Sequence, residues 1–462
     1  MARGTWRNWA GTVVATPSHV HLPRSVDDVV AAVHAARGSH LRPRGSGHSF
    51  TALAATDDHA IDLRHWTGLE SLDTTTRRVR VRAGTTLRAL NGALDAHGLA
   101  LANLGDIDAQ TVAGAVATGT HGTGARLGGL ATQITALDLV LADGTPVHAD
   151  AAERPELFAA ARVGLGALGV VTHVTLQAVP AFTLRASERP EPLDEVLGDL
   201  DGLLTGADHV EFYWFPYGDH ALVKRNHRVP AAEAPPPLHP LRRFVEYDLV
   251  ENAAFGALCR VGRALPRTAV PLGRVAGAVL SAREYGDRSD RVFTTTRRVR
   301  FVESEWALPR ARLGEVLAEL RTLVSHLEHP VLFPVEVRVA AADDVWLSTA
   351  HGRDTAYVAI HQYVGAPYRA YFAAFGDVAA AAGGRPHWGK EHHLDATDLA
   401  QLYPRFDDFR RVRRDVDPAG LFANDHLDRI LGPIWASPPR EGPTHPRRIA
   451  SAIPTTTSRS PW

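Results

Sequence analysis

The chain has 462 residues and a net charge of −1, with 45% hydrophobic and 22% charged residues. That balance excludes the basic field of a nucleic-acid binder, and the length allows two or three domains with cores of their own. A single cysteine, Cys259, excludes an internal disulfide framework. No apolar run approaches the ~20 residues of a bilayer span, and the N-terminus lacks a signal-peptide h-region, so the expectation is a cytoplasmic protein.

In chain order, Ser25 opens a helix as N-cap, with Val26, Val29, Val30 and Val33 as its apolar stripe and Gly38 placed to end it. Leu41 starts a short strand that runs into Arg42-Pro43-Arg44-Gly45-Ser46-Gly47-His48-Ser49-Phe50. Glycines let backbone N–H groups of such a loop turn toward an anion, and phosphate suits the concave nest they form. Ala60 to Leu63 and Val79 to Arg82 read as strands, and Thr86 to His97 as a helix closed by Gly98.

A second small-residue run extends from Asn103 to Gly124, where another body must approach the backbone closely. Ile134 to Val147 alternates across Asp143-Gly144, a hairpin signal, and Gly169 to Leu176 is a further strand. After about Phe182 the strands carry larger aromatics, as in Val210 to Phe215. Pro230 to Pro240 reads as a surface loop, residues 311 to 328 as an amphipathic helix, and Tyr368 to Ala382 as another. Strands are expected at Phe301 to Trp306, Phe333 to Val339 and Tyr357 to Tyr363.

Period-2 alternation in Phe333 to Val339 puts Glu336 and Arg338 on one face, opposite Val335, Val337 and Val339. A carboxylate beside a guanidinium suits a polyhydroxylated substrate and a developing negative charge; the same pattern also fits the solvated face of an edge strand. His361 is either a site residue or a satisfied core histidine. Lys390, in His387-Trp388-Gly389-Lys390, is either a placed cation or a solvated loop lysine. No metal is expected, because His392 and His393 are adjacent and no His pair has a carboxylate at zinc spacing. Gly164 to Gly169 has Gly-x-Gly-x-x-Gly spacing but precedes a strand, so the dinucleotide fingerprint is not met.

Taken together, five segments resemble the vanillyl-alcohol-oxidase type of FAD enzyme and, within it, the aldonolactone oxidase family. They are Arg44 to Phe50, Gly105 to Gly124, Glu336-Val337-Arg338, His387 to Lys390, and Asp417-Pro418 through Phe422 to Asp425. The resemblance implies an α+β fold: a PCMH-type FAD-binding domain of two α/β subdomains (10–181) and a substrate domain whose antiparallel sheet covers the flavin (182–406). A C-terminal segment (407–432) returns to the first domain, and a disordered tail (433–462) follows.

It also implies that FAD is held by Pro43, Arg44, Gly45, Ser46, Gly47, His48 and Ser49. Further FAD contacts are implied at Gly105, Asp106, Thr111, Gly114, Thr118, Gly119, Thr120, His121, Gly122 and Gly124, and at Val170, Val171 and Asn424. His48 matches a position that bonds covalently to the flavin in some members and not in others.

Glu336, Arg338 and Lys390 would act on the substrate, with His361 beside them. The reaction implied is oxidation of an aldono-1,4-lactone at the C2 hydroxyl, giving an ascorbate-type product. An alditol is the alternative substrate, and a flavin carrier without turnover is an alternative of another class. Gly105 leaves room for O2 near the flavin, whereas resemblance to dehydrogenase members points to a cytochrome or dye as acceptor.

Overall fold

The computed structural model describes residues 4–278 and 281–435; the expected tail beyond Trp435 lies outside them. Two larger sheets build the N-terminal half, beside two two-stranded ones. The first has three parallel strands in the order His19–His21, His59–Asp62, Leu41–Arg44. The helix Val26–Ala35 packs on it through Val29 and Val33, and the Ser25 side chain accepts the Asp28 N–H at its start. The second is a five-stranded antiparallel sheet in the order 146–150, 134–140, 170–177, 78–82, 69–73. Gly144 turns its hairpin at φ +91°, a region open to glycine at little cost.

The C-terminal half is one eight-stranded antiparallel sheet. The strand Val335–Ala340 sits in its interior, between His209–Trp214 and Thr355–Tyr363, and all six of its residues are buried. The edge-strand alternative for Glu336 and Arg338 is thereby excluded. The helix Leu313–Ser325 buries Leu313, Val316, Leu317, Leu320 and Val324, the stripe its periodicity expects. Pro240–Ala278 is largely helical, which the sequence reading did not foresee.

Residues past 407 return to the first sheet. The Leu41 N–H donates to the Leu421 carbonyl, and the buried Arg42 guanidinium donates to the carbonyls of Leu53, Leu165, Gly166 and Phe422. Asp417 accepts the N–H groups of Leu421 and Phe422. One arginine thus ties three segments to the strand that leads into the glycine loop, and each unmade bond at such a buried cation would be costly.

Candidate active site

Two cavities meet at the loop Arg44 to Phe50. The larger, about 630 Å³, runs between that loop, the start of the helix Val112–Ala117 and the segment Gly164 to Val171. The smaller, about 90 Å³, lies under the eight-stranded sheet and is lined mainly by polar groups. His48, Ser49, Gln110 and Thr118 line both, so they stand at the junction.

One wall of the first cavity packs closely because side chains are missing. A Cβ on Gly45 would lie 2.5 Å from Thr111 Oγ1, and one on Gly114 would lie 2.8 Å from the same oxygen. Thr111 Oγ1 is itself held in place by the Gly114 N–H, which it accepts as the helix cap. The volume is that of a site for a cofactor-sized ligand, and its inner end reaches an imidazole. These features fit FAD.

His48 stacks on Trp9 with ring centroids 5.9 Å apart. Burial and the Lys390 charge lower its pKa, against an opposing effect of Asp106, so the ring is held neutral.

Around the smaller cavity, Glu336 and Arg338 form an ion pair, and Tyr213 Oη donates to Glu336 Oε1 at 2.8 Å. Arg338 Nε donates to Glu211 at 2.9 Å, and its other arm lies 3.6 Å from Asp106. Arg297 donates to Asp106 at 2.8 Å. Lys390 Nζ is paired with Glu303, whose other oxygen lies 3.6 Å from His361 Nε2; the same nitrogen is 3.9 Å from Glu336. His361 Nδ1 donates to the Pro334 carbonyl at 3.0 Å, which aims Nε2 into the cavity.

Burial raises the Glu336 pKa; Arg338 opposes the shift, and the charges of Asp106 and Glu211 reinforce it. Burial also opposes ionisation of Glu303, yet Lys390 and His361 prevail and hold it below the usual range. His361 is raised in turn, because Glu303 and Glu336 outweigh its desolvation. The neighbours' charges thus leave Glu336 as the carboxylate that holds a proton more strongly than usual.

The sequence-derived candidates fall in three groups. Pro43 to Ser49, Thr111, Gly114, Thr118 and Val171 line the larger cavity; Gly105, Asp106, Thr120, His121, Glu336, Arg338, His361 and Lys390 line the smaller one. Gly119, Gly122, Gly124, Val170 and Asn424 line neither. Asn424 caps the helix Asp425–Leu431 and donates its amide to the carbonyls of Ala52, Leu53 and Ala55.

Sequence reasoning missed Glu211, Tyr213, Arg297, Glu303 and Glu305. Alternation in Phe301 to Trp306, which puts both glutamates on one face, was an available signal. It also missed a cluster of His121, Glu305 and His387, whose ligand-type atoms lie within 4.8 Å of one another. Those atoms have protein partners: His121 Nε2 is 3.1 Å from Glu305, and His387 Nδ1 accepts the Gly389 N–H.

Residues 174–430 match the D-arabinono-1,4-lactone oxidase family, and residues 17–150 match an FAD binding domain family. The chain is 42% identical to an L-gulono-1,4-lactone dehydrogenase of Mycobacterium tuberculosis, over 93% of this chain and 99% of that one. It is 34% identical to an L-gulonolactone oxidase of Bos taurus and 33% identical to an alditol oxidase of a Streptomyces species, each over 92% of this chain and 98% of the relative. A solved cholesterol oxidase, 21% identical, shares the fold with a TM-score of 0.77 over 92% of this chain and 97% of its own. The chain belongs to the D-arabinono-1,4-lactone oxidase family and is an FAD-dependent oxidoreductase.

Proposed function

We propose that the protein oxidises an aldono-1,4-lactone of the L-gulono-1,4-lactone kind at its C2 hydroxyl, giving a 2-keto product that enolises to an ascorbate-type compound. The observation that carries this reading is the small polar cavity bounded by Glu336, Arg338, His361 and Lys390, which opens at His48 and Ser49 onto the FAD-sized cavity. When bound, FAD supplies the acceptor for the hydride that leaves the carbinol carbon.

The chain's own groups supply the rest. Glu336, with its raised pKa, is suited to accept the hydroxyl proton. Arg338 and Lys390 stay cationic at neutral pH, because the carboxylates around them outweigh their burial. They favour negative charge on the departing oxygen and beside the cofactor ring, in a site that water reaches poorly. His361 orients a substrate hydroxyl through Nε2. Of the remaining sequence-derived residues, Pro43 to Ser49, Thr111, Gly114, Thr118 and Val171 would enclose the cofactor, with His48 at the ring. The electron acceptor is O2 or a cytochrome or dye; the bare Cα of Gly105 facing the cavity supports access by O2.

A second reading, an alditol oxidase, is supported by the identity with the Streptomyces relative, and the same ring of charges suits an open-chain polyol. The test is anaerobic bleaching of bound FAD by L-gulono-1,4-lactone and by xylitol, followed by admission of O2. Bleaching by xylitol alone would overturn the lactone reading.

A further inference from the structure

We infer that Tyr213 and Glu211 form a proton exit behind Glu336, leading the proton of the substrate hydroxyl away from the active site into a second polar cavity. The inference rests on the reading of Glu336 as the group that accepts this proton.

Five adjacent strands set the path. Arg283, Glu188, Lys224 and Glu211 are register partners in sequence across the sheet, and Tyr213, two residues beyond Glu211, is the register partner of Glu336. Partners in register face the same side, so these groups form one row of ionisable side chains. Tyr213 Oη lies 2.8 Å from Glu336 Oε1 and 3.2 Å from Glu211 Oε1, within hydrogen-bond reach of both. Lys224 Nζ lies 3.4 Å from the same Glu211 oxygen, and Arg283 lies 2.6 Å from Glu188. At the edge of the sheet Arg283 also pairs with Glu251, whose side chain is 39% exposed.

A cavity of about 30 Å³ lies on the far side of this row, with Glu188, Glu211, Lys224 and Thr295 in its wall. Asp106, Tyr213, Arg297 and Arg338 line both this cavity and the substrate cavity, so they form the partition between the two. Thr295 Oγ1 is buried without a partner among the described residues. A polar space of this size accommodates water.

The step balances without a further reactant. The substrate C–H bond breaks with its electron pair going to the oxidised flavin, the O–H bond breaks with its proton going to Glu336, and the C=O bond forms. Glu336 then returns its proton to Tyr213 Oη while Tyr213 passes its own to Glu211. Tyr213 is neutral before and after, and Glu211 releases the proton to water in the back cavity.

The transfer from Glu336 to Glu211 runs uphill, and loss of the proton from Glu211 draws it forward. Around Tyr213 are Glu211, Glu336, Lys224 and Arg338; burial, with the two carboxylates, pushes the phenol upward and keeps it a hydroxyl. Burial opposes ionisation of Glu211, but Arg338 and Lys224 hold its pKa low, so a proton arriving there at neutral pH is shed. Tyr213 therefore acts through Glu336, as a positioning and relay residue.

The test compares wild type with Tyr213→Phe and Glu211→Gln in anaerobic flavin reduction by whichever of L-gulono-1,4-lactone or xylitol bleaches the wild-type flavin. In each variant the expected reduction rate falls about 100-fold, the scale of a lost proton-transfer group, with KM unchanged. The solvent deuterium isotope effect rises, and added formate or imidazole partly restores the rate. Wild-type rates, or a loss with no change of isotope effect and no rescue, would overturn the relay.

A readout that needs no substrate separates this inference from the functional reading. The infrared C=O stretch of protonated Glu336, identified by its loss in Glu336→Gln, should titrate at higher pH in Tyr213→Phe, because the charged form has lost its donor. An unmoved titration would overturn the relay. Failure of every lactone and polyol to bleach the wild-type flavin would overturn only the substrate reading, leaving the infrared titration to decide the relay.

Discussion

Arg338 and Glu336 are alternate residues of one buried strand, paired with each other, and Arg338 also reaches Glu211 on the neighbouring strand and Asp106 in the small-residue run. Four charges thus share one low-dielectric pocket, where removing a partner strands the others. Arg338→Ala should lower flavin reduction at least about 100-fold while FAD remains bound, since the cation contributes where charge develops and not in the cofactor cavity. The check is stopped-flow reduction alongside the flavin-to-protein absorbance ratio; a rate near that of wild type would remove Arg338 from the chemistry. Glu336→Gln should behave in the same way.

His48 stands where the two cavities join, and its ring is held neutral, the form that is nucleophilic. The expected outcome is a fluorescent flavin band that travels with denatured protein on a gel and vanishes in His48→Ala. Flavin released by acid from the wild type would mean binding without a bond.

Gly45→Ala places a methyl group 2.5 Å from Thr111 Oγ1. That oxygen caps the helix Val112–Ala117, so either the cap or the loop must move. Loss of the cap alone costs about 1 kcal/mol. We expect a lower flavin-to-protein ratio together with a lower Tm. Full occupancy in the variant would show that the loop yields without disturbing the cofactor.

Gly105→Ala tests the acceptor. The added Cβ would meet the His121 carbonyl and Thr120 Cγ2, both at 3.1 Å, so it fits only tightly and projects beside the cavity. Reoxidation of reduced enzyme by O2 should slow about 10-fold or more, on the order of the effect of small steric changes in a packed site, with substrate reduction retained. Unchanged reoxidation would separate Gly105 from oxygen access.

Stability should fall with acid below pH 6.5. Burial lowers His209 and His387 from 6.5 to about 4, against opposing contributions from the Thr123 carbonyl and from Glu305 respectively. Between those values the unfolded chain binds protons that the folded chain refuses, so unfolding gains free energy as pH drops. The full loss is roughly 3 kcal/mol for each histidine, reached at about pH 4, and it is absent above 6.5. Denaturant midpoints measured from pH 7 to 4 should decline; a flat profile would contradict the burial of these rings.

Much of the local structure was legible in the chain. Caps and periodicity marked the helices at Val26, Leu87 and Leu313, and alternation marked the strands, because both depend on residues a few positions apart. The helical stretch from Pro240 to Ala278 escaped because Leu241, Phe244, Leu249 and Val250 are exposed, so no buried stripe stands out. The charged partners of the site escaped for a different reason. Alternation puts Glu303 and Glu305 on one face of their strand, but only the fold shows that this face is buried beside Lys390 and His121.

By itself the sequence determined which residues lie on the same face of each element, and so paired Glu336 with Arg338. Only the tertiary structure decided that their strand is interior, that Tyr213 stands opposite Glu336 from 123 residues away, and that Arg338 divides one polar cavity from another. The physical reason is that strand pairing joins distant segments: alternation sets a side chain's face, whereas register and burial, which set its neighbours and its charge state, arise only when the sheet assembles.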